Sequence, residues 1–361
     1  MNGPPGWLGW VEGKREQRYV RSNGSMLRIP LVELEGGIFE ALVRLGLAPE
    51  RARLSARLTA ETDRDGVRTH GIARLPRFAE MIGNGSIFPA NQPEVVGSFG
   101  AMERWNGHRG PGNVAAYAAM ARAMELATLH GLGAVALADT THWQRGGSYG
   151  WQAADAGFAA MCWTNTMPNL PPWGATSPAL GNNPLIIAIP NGAEPIVLDM
   201  AMSQFSYGTL TKYRERGQQL PVPGGYDAEG KLTTDPGAIE ETYRALPIGY
   251  WKGSGLSFAL DVLGAMLSGG LATHQISVDP ARESGVSQIF MAVDPLSLGT
   301  IEEMRAMVAG AIGSVHAATP VDAGDPPRYP GEGTLRVREE NLRLGVLVDD
   351  SQWGKVFELG R

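Results

Sequence analysis

His70 and Arg74 stand four residues apart in the run RDGVRTHGIARLPRF. If those residues make a helical turn, imidazole and guanidinium project from one face. Such a pair suits a small 2-keto acid. Arginine grips a carboxylate through two parallel hydrogen bonds. Imidazole titrates near neutrality and can protonate a carbonyl oxygen as hydride reaches the carbon. An ordinary solvated turn would show the same spacing.

A second histidine, His142, directly follows the strand-like run AVALAD in DTTHWQRGGSYG. Strand ends that feed glycine-rich loops collect binding residues, although a satisfied histidine beside Trp143 is the plainer alternative. His130 and His316 end helical runs, where imidazole interacts favourably with the helix dipole. His108 and His274 lie in polar stretches. The run KGSGLSF at 252–258 sets Lys252 and two glycines just before a helical pattern. Free backbone N–H groups there would favour phosphate; a helix start loosened by glycine is an equal alternative. The run lacks the third glycine and the preceding strand of a dinucleotide fingerprint. Neither a GxxxxGK[ST] phosphate loop nor an HExxH zinc site occurs, and no metal is expected.

The remaining composition excludes other classes. Net charge is −6 and the basic residues are scattered, unlike the footprint of a nucleic-acid binder. No run of about 18 uncharged apolar residues could span a membrane. Residues 1–25 contain GPPGWLGW and then KREQRYVR, charged where a secretory signal needs an apolar core. Cys162 is the only cysteine; in the apolar run FAAMCW it reads as a small core side chain, and the lack of disulfides points to the cytoplasm.

The elements that must position these residues follow from periodicity. IFEALVRLG and PERARLSARLTAETD read as two helices, and NVAAYAAMARAMELATLHG as a long helix stopped by Gly131. Its Ala and Met stripe reads as packing surface. AVALAD, FAAMCW, LIIAI and PIVLD are short β-like runs with one short helix, near SYGWQAADAG, among them. That is not the regular alternation of a doubly wound sheet. GLSFALDVLGAMLSG is a strong helix with Leu256, Leu260, Leu263 and Leu267 on one face. SQIFMAVD reads as a last strand, followed by the helices IEEMRAMVAGAIGSVHAA and RVREENLRLG.

From about Met26 onward the chain resembles the malate/L-lactate dehydrogenase family that lacks a Rossmann fold. The likeness rests on THGIARLPRF, HWQRGGSYGWQAADAGF, CWTNTMPNLPPWGA, MSQFSYG, GGYDAEGKLTTDP and LPIGYWKGSGLS. The longer strings HWQRGGSYGWQAA and GYWKGSG are similar to the branch acting on diketogulonate. The resemblance implies an α/β fold with a helical domain from both chain ends, residues 26–105 and 285–361. Beside it would lie a central mixed-sheet domain, 106–284, that binds the cofactor, with residues 1–25 an extension outside the fold. It implies a cytoplasmic homodimer that reduces the C2 keto group of 2,3-diketo-L-gulonate with NADH, NADPH being the alternative cofactor. Malate, lactate, ureidoglycolate or a cyclic imino acid are the alternative substrates, and a cofactor-free lyase or isomerase is the alternative class.

Carried over by motif, His70 would donate the proton and His142 would be the second active-site histidine. Arg74 and Thr69 would border the substrate, Thr69 standing where the family carries serine. Pro195, Ile196, Val197, Leu198, Asp199, Met200 and Ala201 (PIVLDMA), Trp251 with Lys252, and Gly331 with Glu332 would hold the cofactor. Asn182 replaces a usual threonine, and the PGEG loop lacks the histidine of the diketogulonate branch.

Overall fold

The computed structural model describes residues 20–22, 25–297 and 299–360. Strands β1 (Val20–Ser22) and β2 (Met26–Ile29) pair antiparallel, and β14 (Val346–Asp349), from the far end of the chain, adds to β2. On this small sheet pack α1 (Leu31–Arg44), α2 (Pro49–Arg64), α3 (Leu75–Gly83) and α11 (Asp350–Leu359). In α1 the apolar residues Leu34, Ile38, Ala41 and Leu42 recur at helical spacing and are buried against Leu75 and Trp353. Both chain ends thus share one core, as expected. Residues 1–19 of the proposed extension lie outside the described residues, but Val20–Ser22 joins this sheet, so the fold begins before Met26.

The second unit is a seven-stranded mixed sheet. In chain order its strands are β3 (Glu94–Phe99), β4 (Met102–Asn106), β5 (Leu132–Thr141), β6 (Ala159–Thr164), β9 (Leu185–Ile189), β10 (Ile196–Met200) and β13 (Ser284–Val293). The spatial order is β10-β9-β6-β13-β5-β4-β3. Only β4 and β5 run parallel, joined by the crossover helix α4 (Gly112–His130), which Gly131 ends in the left-handed region. The α4 stripe of Ala116, Ala119, Met120 and Ala123 packs on Val135, Leu137 and Phe290, so its small residues are indeed packing surface. Because β13 pairs with both β5 and β6, the expected boundary at 284/285 falls inside the sheet, and β3 and β4 carry the sheet back to residue 94.

The other face is covered by α8 (Trp251–Ser268), where the sequence expectation needs correcting. Leu260 packs on the sheet, but Leu256 and Leu263 are 37% and 38% exposed. The buried side of α8 is instead made of Gly253, Ser257, Asp261, Gly264 and Ser268, small or polar residues that let the helix approach closely. The helix α5 (Gly147–Asp155) follows His142 as expected. Further short elements, β7 (Pro168–Leu170), β8 (Leu180–Gly181), α6 (Tyr207–Glu215), β11 (Gly225–Tyr226), β12 (Leu232–Thr233) and α7 (Pro236–Thr242), carry two helices that periodicity did not show. The terminal helices α9 (Ile301–His316) and α10 (Glu332–Leu344) complete the chain.

One carboxylate joins the two units. Asp65, the residue ending α2, is buried and accepts from Arg338 Nε and Nη2 at 2.8 Å each. It also accepts from Arg145 Nη1 at 2.7 Å and Arg64 Nε at 2.8 Å. Arg338 comes from α10 and Arg145 from the turn after β5. Burial alone would raise the Asp65 carboxyl; the hydrogen bonds from Arg338 and the nearby Arg145 and Arg64 charges outweigh it and hold it well below the usual range. Removing the charge from one member of a buried ion cluster leaves its partners uncompensated. Asp65→Asn is therefore expected to reduce unfolding free energy by about 3–5 kcal/mol, measured by urea denaturation. A loss below about 1 kcal/mol would show that the cluster does not hold the units together.

Candidate active site

The His70 segment is built against α2. After that helix the chain makes two tight turns, Arg68–His70 and Ile72–Arg74, broken at Gly71. The expected single helical turn from His70 to Arg74 is absent. Asp63, buried at the end of α2, accepts the Ile72 N–H at 2.8 Å, and a Cβ on Gly71 would overlap its carboxylate. The segment is thus drawn down onto α2 between the two side chains of interest. Burial pushes the Asp63 carboxyl up to about 7, against the Ile72 N–H and the Arg68 charge. Thr69 Oγ1 lies 2.9 Å from His70 Nδ1, and the Thr69 methyl packs at Gly208 of α6.

His142 leaves the end of β5 and meets this segment. Its ring stacks on His70, with centroids 6.1 Å apart and planes 24° from parallel. Arg74 Nη2 lies 3.3 Å from His142 Nε2. Arg74 has no carboxylate partner among the described residues, and its Nε is buried without a hydrogen bond. Arg77 differs: it pairs with Glu283 at 3.4 Å and donates to the Pro280 carbonyl. Burial and the charges of Arg74 and Arg145 hold His70 down to about 3. Burial, Arg74, His70 and Arg77 hold His142 well below its ordinary value. At neutral pH the site therefore contains two uncharged imidazoles beside one unpaired guanidinium. Arg145 was not singled out from sequence; its only signal is its place three residues after His142.

The segments expected to hold the cofactor meet along one strand. PIVLDMA forms β10, an edge strand of the large sheet. The Val197 N–H donates to the Pro330 carbonyl at 3.0 Å, and Gly331, at φ +97, lies so close to Val197 that a Cβ would crowd its backbone. Asp199 Oδ2 accepts the Gly147 N–H at 3.0 Å and lies 3.7 Å from Arg145 Nε. Glu332 turns its carboxylate to His316 Nε2 and the Tyr329 N–H, both at 3.1 Å. Trp251 and Lys252 are exposed in the first turn of α8, not ahead of it as the glycine spacing suggested. They sit at the far end of the same stretch, where the Ile248 N–H donates to the Met202 carbonyl at 2.8 Å. From Val197 to Met202 is about 16 Å at the rise of a strand, which suits an extended ligand. The exposed Lys252 ammonium offers the charge that dinucleotide phosphates need, and Gly331 leaves room beside Val197 for the ligand's other end. The residues present thus fit that group.

Comparison with known proteins places this geometry. The profile described as malate/L-lactate dehydrogenase matches residues 29–356. The chain is 44% identical over 334 residues to 2,3-diketo-L-gulonate reductase of Klebsiella pneumoniae (strain 342), covering 92% of this chain and all of the relative. It is 43% identical, with the same coverage, to the enzyme of that name in Escherichia coli (strain K12 / DH10B). Among solved structures, sulfolactate dehydrogenase from Methanocaldococcus jannaschii superposes with a TM-score of 0.84 at 26% identity, covering 92% of this chain and 96% of that one. Malate dehydrogenase from Pyrococcus horikoshii OT3 gives 0.84 at 26% identity, covering 94% and 97%. The profile spans the mixed sheet, most of the helical unit and every candidate residue, and the chain belongs to the malate/L-lactate dehydrogenase family.

Proposed function

We propose that this oxidoreductase reduces the C2 keto group of 2,3-diketo-L-gulonate to 3-keto-L-gulonate with NADH. The observation that carries it is Arg74: a half-buried guanidinium, its Nε fully buried, with no carboxylate partner, beside two neutral imidazoles. An anionic substrate supplies the missing partner, and the names of the relatives supply its identity. The nicotinamide, when bound, supplies the hydride to C2. Arg74 holds the carboxylate. His70 gives the proton to the keto oxygen through Nε2, because its Nδ1 is engaged with Thr69. Burial is the main reason His70 is unprotonated; a carboxylate on Arg74 offsets the guanidinium charge that adds to it, so substrate binding raises its affinity for the proton it must deliver. Lys252 holds the cofactor phosphates, and Gly331 lets the other end of the dinucleotide lie close to β10.

The protein works as a homodimer. On α8, Phe258 and Met266 are each 60% exposed, with Val262 and Trp251 beside them, a face that a second copy would cover. Among the described residues no helix is long and apolar enough to cross a membrane. An unpaired, buried Cys162 suits the cytoplasm.

Three variants, a pH profile and a substrate amide test this assignment. His70→Asn should lower kcat at least about a hundredfold with cofactor affinity nearly unchanged. In the wild type, His70 is unprotonated above about pH 3. The kcat/KM for reduction should therefore fall roughly tenfold per pH unit through neutrality, and the reverse oxidation should not. Near wild-type turnover in the variant would remove His70 from the mechanism. Lys252→Ala should weaken NADH binding, followed by fluorescence titration, more than it slows turnover; unchanged affinity with a collapsed kcat would move Lys252 to the substrate side. Arg74→Lys should reduce kcat/KM about ten- to a hundredfold, because lysine cannot make the planar two-pronged contact. A substrate amide should react poorly with the wild type and lose little more in the variant. Equal discrimination of acid from amide by both enzymes would place the carboxylate elsewhere.

A further inference from the structure

His142 is caught between two donors. The Gln144 N–H points at Nδ1 from 3.0 Å, and Arg74 Nη2 faces Nε2 from 3.3 Å. A neutral imidazole carries one proton and can accept at only one nitrogen, whereas guanidinium can never accept. One of the two contacts must therefore set the tautomer.

The backbone donor sets it. Gln144 is one of the few residues other than glycine with positive φ, at +64, and that conformation folds its N–H back onto the preceding histidine. Gln144 is buried, and its side-chain oxygen accepts from Thr59 Oγ1 of α2 at 2.9 Å. The N–H is part of this anchored turn and cannot rotate away, whereas the Arg74 fork sits at the end of a long side chain. A sparsely populated backbone conformation at a functional site persists because its surroundings enforce it. With Nδ1 taken, the proton lies on Nε2.

Nε2–H and Arg74 Nη2–H then face each other with no acceptor between them, and Arg74 Nε is a third buried donor lacking a partner. One oxygen bearing negative charge would satisfy the first two together. We infer that His142 is a permanently neutral donor which clasps the keto oxygen of the substrate together with the Arg74 Nη2–H that faces it, the other N–H groups of Arg74 holding the carboxylate, and that the Gln144 N–H is the positioning group that fixes its tautomer. His142 transfers no proton; His70 alone does. This rests on the 2-keto acid reading above, except for the tautomer, which the unliganded protein must already show.

The first test therefore uses no substrate. In wild-type protein labelled with 15N in histidine, His142 should show an unprotonated Nδ1, coupled across the hydrogen bond to the Gln144 N–H, and a protonated Nε2. The opposite tautomer, or a ring that titrates between about pH 5 and 8, overturns the proposal whatever the substrate is. The second test compares His142→Gln, whose side-chain amide places a donor near the position of Nε2, with His142→Ala. His142→Ala should lose about 10²–10³ in kcat, the cost of one such donor. His142→Gln should stay within about tenfold of wild type, with the same pH profile. Equal loss in both variants, with dinucleotide binding retained, refutes the donor role. Loss of the pH limb in His142→Gln would assign proton transfer to His142. Failure of every keto acid to react would refute the proposed function while leaving the NMR outcome to decide the tautomer.

Discussion

Four arginines crowd the junction where the helical unit meets the sheet, and the buried carboxylate of Asp65 takes three of them. Asp65 takes up Arg64, Arg145 and Arg338 and leaves Arg74 alone. Without that anion, only the outlying Glu61 and Asp199 carboxylates, 3.4 Å from Arg64 and 3.7 Å from Arg145, would balance three cations, and repulsion would loosen the junction. With it, the charge of Arg145 is fixed near His70, and the charge of Arg74 remains available to something from outside. The same contact fastens α10 and the turn after β5 to the end of α2. Those are three stretches distant in sequence that must meet for the site to exist.

This arrangement gives the pocket an electrostatic bias in its resting state. Both imidazoles are held neutral by burial and neighbouring cations, so an empty pocket resists taking up protons but attracts anions. A carboxylate ligand reverses part of that bias as it enters. Recognition and protonation are thus coupled through one guanidinium, and a neutral analogue would lack the charge that readies the acid.

Much of this was visible in the sequence, for local reasons. His70, Arg74 and His142 stood out because their side chains and spacing suit an acid, and α1, α2 and α4 because apolar residues recur at 3.6-residue intervals. The pairing of His70 with Arg74 was anticipated through the wrong geometry. A kink at Gly71 under Asp63 brings both side chains to His142, and nothing in a helical repeat encodes a contact of that kind. Asp65, Arg145 and Gln144 were missed because their partners lie far along the chain: Arg338 for Asp65, Thr59 for Gln144. Leu256 and Leu263 share the apolar face of α8 yet are 37% and 38% exposed, since an apolar stripe identifies a face but not what covers it. The sheet boundary failed because β13 enters between two strands made much earlier.

That late strand has a consequence for how the protein comes into being. β5 and β6 are never neighbours; each bonds to an opposite edge of β13. Until residue 293 has left the ribosome, the sheet exists only as two fragments whose facing edges expose unpaired backbone and apolar side chains. Pairings this distant are slow to form. During synthesis the chain must therefore keep a strand-wide gap open, which makes that interval the one at which a chaperone, or a misplaced strand from a neighbouring chain, competes with the native partner.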